Sequence, residues 1–173
     1  MAQLTTPPPD VVQRLASERT LSAVKEAGRG VAHIVCGLPL HDISIRYRRS
    51  WVGGGWHVES RTRDVRHGSL DLFGLEAVQG LAVAAGAGAE AQARWLVERE
   101  GITVAVAREK AFRSDATVRE AARYLPHCDW TLDELIGRVQ ALVAQRWAPI
   151  TAVTEQLLCC GRLTGDDVRD LVA

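Results

Sequence analysis

The chain has 173 residues, 47% of them apolar, which is enough for one domain with a sizeable core. Basic and acidic residues number 21 each and cancel, which removes the electrostatic argument for wholesale nucleic-acid binding. No run of about 18 uncharged apolar residues is present to span a membrane, and MAQLTTPPPD lacks the basic-then-apolar order of a secretory leader, so a cytoplasmic protein is expected.

Pro7, Pro8 and Pro9 predict an extended, flexible arm over residues 1–10, with Asp10 as the cap of the first helix and residues 11–173 forming one domain. Val11–Arg19 leads into Leu21–Cys36, LSAVKEAGRGVAHIVC. There Leu21, Val24, Gly28, Val31 and Val35 recur at three- and four-residue steps, the mark of an amphipathic helix. Gly37-Leu38-Pro39 stops it. His41–Arg48 alternates Ile43, Ile45 and Tyr47 with Asp42, Ser44, Arg46 and Arg48, which predicts a half-buried strand. Trp51–Ser60 is a second strand carrying Gly53, Gly54 and Gly55, which allow a bulge or a close backbone approach. Arg61–Gly68 is turn-like.

Ser69 opens a long helix with Leu70, Phe73, Leu75, Val78 and Leu81 on its apolar face, small residues over Gly86–Ala93, and Gly101 at its end. Ile102–Ala107 is an apolar run of undetermined type. Ser114 starts a helix that Pro126 forbids to extend past Leu125. Thr131 and Glu134 form a capping box for a helix to about Trp147. Pro149 sits at the start of the next helix, which ends near Cys160-Gly161, and a short one comes after Thr164. The pattern is mostly α with a small β-sheet. Cys36, Cys128, Cys159 and Cys160 contain no C-x-x-C pair and are expected as buried free thiols in a reducing compartment.

The chemistry-bearing stretch is Lys25-Glu26-Ala27-Gly28-Arg29. Histidine at its first and last positions would complete H-E-x-x-H, in which two imidazoles one turn apart grip Zn²⁺ and the glutamate activates the metal-bound water. An ammonium and a guanidinium have no lone pair to offer a metal, so the segment reads as an overwritten metal site. His33 and Cys36, three residues apart on the helix, are weighed as alternative ligands, with His33 read as facing away from Arg29. Each of the five histidines is expected as an ordinary core or surface residue. Arg46, Arg48, Arg49, Arg61, Arg63 and Arg66, with Tyr47, Trp51 and Trp56 between them, make a basic aromatic patch; outward strand positions are commonly charged, and nucleic acid is not the expected partner.

Five segments, in order over residues 20–173, resemble the peptidase domain of the FtsH-type zinc metalloproteases, in its small version without the ATPase module. AVKEAGRGVAHIVCGLPLHDISI resembles the family's zinc helix and first strand, GGGWHV its glycine-bearing strand, and LAVAAGAGAEAQARWL its small-residue helix. SDATVREAARYL resembles its aspartate-bearing helix, and RWAPITAVTEQLLCCGRLTGDDVRDL its C-terminal helices. The resemblance implies a zincin-like α+β fold. It puts Lys25 and Arg29 in the places of the zinc-binding histidines, Glu26 in that of the general base, and Asp115 in that of the third ligand.

The expectation is a zinc-free pseudopeptidase, with no cofactor, in which the cations of Lys25 and Arg29 replace the metal by pairing with Asp115 and Glu26. A peptide or protein segment would dock along Gly53–Val58, on Gly53, Gly54, Gly55, Trp56 and His57, as an added strand. A homodimer is left open. The alternatives are a metal-free enzyme acting on an anionic small molecule in a Lys25–Glu26–Arg29 cleft, and a zinc peptidase with atypical ligands.

Overall fold

The computed structural model describes the backbone over residues 9–50, 53–61, 74–112 and 115–173, and the side chains over 17–46, 74–112 and 120–173. Helix α1 (Pro9–Val35) leads into strands β1 (Asp42–Ser50) and β2 (Gly53–Arg61), then helices α2 (Leu75–Glu100), α3 (Val104–Phe112) and α4 (Asp115–Tyr124). A 3-10 turn at Leu125–His127 precedes α5 (Leu132–Gln145), α6 (Trp147–Cys160), strand β3 (Arg162–Thr164) and α7 (Gly165–Val172). The described residues are mostly helical with one small antiparallel sheet, in the order β2-β1-β3.

Helix α2 is the centre of the core. It packs against α1, α3, α4 and α5, and every residue from Leu81 to Ala91 is buried. A helix enclosed on all sides is apolar nearly all round, and where a neighbouring helix comes close, as α1 does at Gly88, only a small residue fits. That is the physical content of LAVAAGAGAEA. The main core joins α2 to Val24 and Val31 of α1, Ile43 of β1, Val143 of α5, Ile150 and Leu157 of α6 and Val168 of α7. A satellite cluster of Ala89, Ala93, Leu96, Ala107 and Ala111 fastens α3 to α2.

Several boundaries fall where local chemistry puts them. Thr131 and Glu134 make both hydrogen bonds of the capping box, and Thr164 with Asp167 repeats the device for α7. Gly101 and Gly161 end α2 and α6 with φ of 65° and 74°, a region costly for other residues.

Other expectations are corrected. Helix α1 begins at Pro9, takes in Asp10 rather than being capped by it, and is one 27-residue helix, while residues 1–8 lie outside the described residues; proline fits a first helical turn because its missing N–H has no partner there. Leu75 and Val35, each at a helix end, are 47% and 37% exposed. The apolar run after Gly101 becomes α3, with Val104 and Val106 exposed. Cys128 alone of the four thiols is fully buried, whereas Cys159 and Cys160 are exposed. Strand β3 has no counterpart among the elements expected from sequence. Arg61, expected to open a turn to Gly68, is the last residue of β2; the rest of that turn and the start of the second long helix at Ser69, with Leu70 and Phe73, lie outside the described residues. Among the described residues no helix is long and apolar enough to cross a membrane.

Candidate functional site

Lys25, Arg29 and His33 sit four residues apart on α1, so one helix face carries all three, about one turn between each. His33 therefore shares the face of Arg29, a correction to the expectation that set them apart. The Arg29 charge helps to hold the imidazole neutral: burial, and then Arg29, lower the His33 pKa to about 4. His33 is 5% exposed, and its Nδ1 has no hydrogen-bond partner among the described residues.

The carboxylate that meets Arg29 is Glu120, on α4, through a guanidinium Nη2–carboxylate ion pair. Sequence reasoning did not single out Glu120. A carboxylate ninety-one positions further along the chain leaves no local signal, although the resemblance did point to its helix. The Asp115 side chain lies outside the described residues; its backbone opens α4, one turn and more before Glu120.

Lys25 is half-buried, and its pKa falls through burial first and the Arg29 charge second, against the opposing pull of Glu26 and Glu120. Glu26 is 1% exposed. Two cations and two carboxylates thus lie within electrostatic reach of one another, and their formal charges cancel. Tyr124 closes the group. It is 4% exposed, and burial and then the Glu120 charge raise its phenol pKa while Arg29 and Arg123 lower it.

The position of this face is set by a close helix crossing. A Cβ added to Gly28 would lie 2.7 Å from the Ala91 Cβ and 2.9 Å from the Ala87 carbonyl oxygen. One added to Gly88 would lie 2.6 Å from the carbonyl oxygen of Lys25 itself. The backbones of α1 and α2 therefore touch at the KEAGR segment, and side chains on either side of Gly28 are held by that contact.

Among the described residues no three of His, Cys, Asp and Glu are grouped to hold a metal ion. Among the described residues, four cavities are lined by side chains other than Lys25, Glu26 and Arg29. What the face offers is a neutralised, partly buried cluster of charges, in which burial and the Arg29 charge hold Lys25 below the usual lysine range.

The predicted docking stretch is an edge strand. Gly53, Gly54, Gly55, Trp56 and His57 all lie in β2, which has no described strand on its outer side; the side chains of Trp56 and His57 are outside the described residues. The register fixes which backbone groups point outward. Ile45 N–H donates to Gly161, and Gly165 N–H donates to His41, so His41, Ile43 and Ile45 turn their backbone groups to the β3 side. Ser44, Arg46 and Arg48 then bond to β2 through Glu59, His57 and Gly55. Gly54, Trp56, Val58 and Ser60 are left with their backbone groups on the outer edge. Of the basic patch, only Arg46 has a described side chain, and it is exposed.

No model of a known protein family matches the chain, and no curated protein matches it significantly.

Proposed function

We propose that the chain is a zincin-like, FtsH-type peptidase domain that has exchanged its metal for an internal ion network and serves as a peptide-binding module. Supporting the reading is the Arg29–Glu120 pair, which joins the helix carrying KEAGR to the helix that the resemblance makes the third-ligand helix. A guanidinium supplies positive charge and a bidentate fork where a carboxylate needs a partner, and neither Lys25 nor Arg29 can take up a metal's coordination at neutral pH. The reading includes no cofactor and no peptide hydrolysis. The partner is a peptide or protein segment that adds a strand to β2 over Gly53–Val58, with a cytoplasmic setting as the expectation from sequence.

The outward backbone groups of Trp56 and Val58 define the test. Val58→Pro removes one outer-edge N–H and none from the β1–β2 ladder, so the sheet tolerates it as edge strands do. In a screen of extended peptides read by fluorescence anisotropy, a peptide that binds the wild type is expected to lose at least about tenfold in affinity to Val58→Pro, the effect of one or two main-chain hydrogen bonds. Unchanged affinity in a folded Val58→Pro variant rules out strand addition at β2. A metal-free enzyme is the second reading, and the lowered pKa of Lys25 is its one favourable observation.

A further inference from the structure

We infer that the outer edge of β2 pairs with β2 of a second copy of this chain, antiparallel, about a twofold axis at His57. The inference rests on the strand-addition reading of that edge and names the strand that is added. Strand β2 is nine residues long, Gly53–Arg61, and extends about 30 Å. Among the described residues β1 is its one strand neighbour. The β1–β2 ladder runs through all nine positions without a bulge, and no proline interrupts it. Bulges and prolines are two of the devices by which sheet edges are kept from pairing, and this edge has neither.

The backbone selects the register. Gly54, Trp56, Val58 and Ser60 carry the outward groups, and an antiparallel strand bonds only where outward groups meet outward groups. Between two copies of β2 the axis must therefore pass through a residue and not between two. Centred on His57, every residue of β2 has a partner. Gly54 then pairs with Ser60 and Trp56 with Val58, each pair occurring twice and exchanging both N–H···O bonds. Moving the axis by one residue either way leaves two residues at one end of each strand unpaired and loses one bonded pair.

The residue order of β2 selects the second copy, because in that register the strand is complementary to itself. Gly53, Gly54 and Gly55 come opposite Arg61, Ser60 and Glu59 of the other copy, so positions without a side chain meet the larger residues. Trp56 comes opposite Val58, an aromatic against a β-branched residue, which is one of the favourable cross-strand pairs. Glu59 and Arg61 both meet glycines, so neither faces a like charge. His57 alone meets its own kind. The pairing also closes. It consumes both β2 edges, and the joined sheet then ends on each side in β3, three residues long. Short outer strands resist further addition, so the symmetric pair stops at two copies.

The test is sedimentation velocity of the full chain over a dilution series, joined to disulfide trapping. A reversible dimer is expected. Val58→Pro removes an outward N–H from each copy and is expected to weaken the dimer about thirtyfold, the effect of two main-chain hydrogen bonds. Trapping decides the register, and decides alone should Val58→Pro lower the melting temperature. It uses a Cys159→Ser, Cys160→Ser background, which removes the exposed thiols. There His57→Cys is expected to link two chains on oxidation with copper–phenanthroline, since residues opposed in a non-hydrogen-bonded pair have Cα atoms about 4.5 Å apart, within disulfide range. Trp56→Cys and Val58→Cys, tested singly, are expected not to link. A monomer at every concentration, a dimer indifferent to Val58→Pro in a folded variant, or linkage at 56 or 58 in place of 57 overturns the assignment. A monomer that still binds extended peptides, and loses them in Val58→Pro, removes the second copy and keeps strand addition; a monomer that binds no peptide removes both.

Discussion

His33 is the residue whose environment is most at odds with its ordinary chemistry. Its imidazole is buried beside a permanent cation, and its pKa of about 4 lies below the usual 6.5. The neutral form is thus the folded form. As pH falls below about 6.5 the unfolded chain takes up a proton that the folded chain refuses, so stability falls progressively down to about pH 4. The whole effect is at most about 3 kcal/mol. Urea unfolding of His33→Leu between pH 7 and 4 is expected to show a shallower loss than the wild type; parallel curves would remove His33 as the cause. Arg29 and Glu120 are a second residue-scale case. Their side chains are 23% and 34% exposed, so solvent screens the pair in part. Glu120→Gln is expected to cost about 1 kcal/mol. A double-mutant cycle with Arg29→Met measures the coupling, and a coupling near zero would mean that the pair does not link α1 to α4 energetically.

At the scale of elements, the decisive contact is the crossing of α1 and α2. The obstacle to a side chain at Gly88 is a backbone carbonyl, that of Lys25, which cannot rotate away. Gly88→Ala is therefore expected to push the helices apart and to destabilise by about 1–3 kcal/mol, the usual cost of overpacking. The intrinsic preference of helices for alanine acts in the opposite sense by about 1 kcal/mol. A chemical-denaturation midpoint at or above that of the wild type would show that the helices separate without penalty. The sheet depends on a longer-range tie. Asp42 of β1, 2% exposed, accepts from Arg162 of β3 at 2.8 Å and contacts the ring of neighbouring His41 at 3.0 Å. Strand β3 is three residues long, too short for a two-residue alternation to register in sequence.

On the scale of the molecule, the proposal that an old metal cage survives as architecture makes a direct prediction. Lys25→His with Arg29→His places two imidazoles one turn apart on a helix already held by its crossing with α2. The double variant is expected to bind zinc measurably in competition with a chromophoric chelator, and the wild type is not. The His33→Leu background separates ligation by the introduced imidazoles from any contribution of His33 on the same face. Failure of a folded double variant to bind zinc would mean that the third-ligand helix is not presented to this face as the resemblance implies.

Local rules accounted for much of the architecture. The 3.6-residue period of α1, the alternation of β1, the Thr131–Glu134 and Thr164–Asp167 caps and the glycine stops at Gly101 and Gly161 depend on residues within a few positions of one another, so the sequence alone contains them. The absence of imidazole at positions 25 and 29 is equally local, and it sets what those two side chains cannot do. Everything that depends on distant segments meeting was decided by tertiary structure. Glu120 became the partner of Arg29, Gly88 came to rest on the Lys25 carbonyl, β3 found β1 across 120 positions, and Arg108 of α3 reached Glu90 of α2. The reason is that packing is settled by shape and charge between surfaces, and a periodic pattern states which face of a helix is apolar without naming the surface that will cover it.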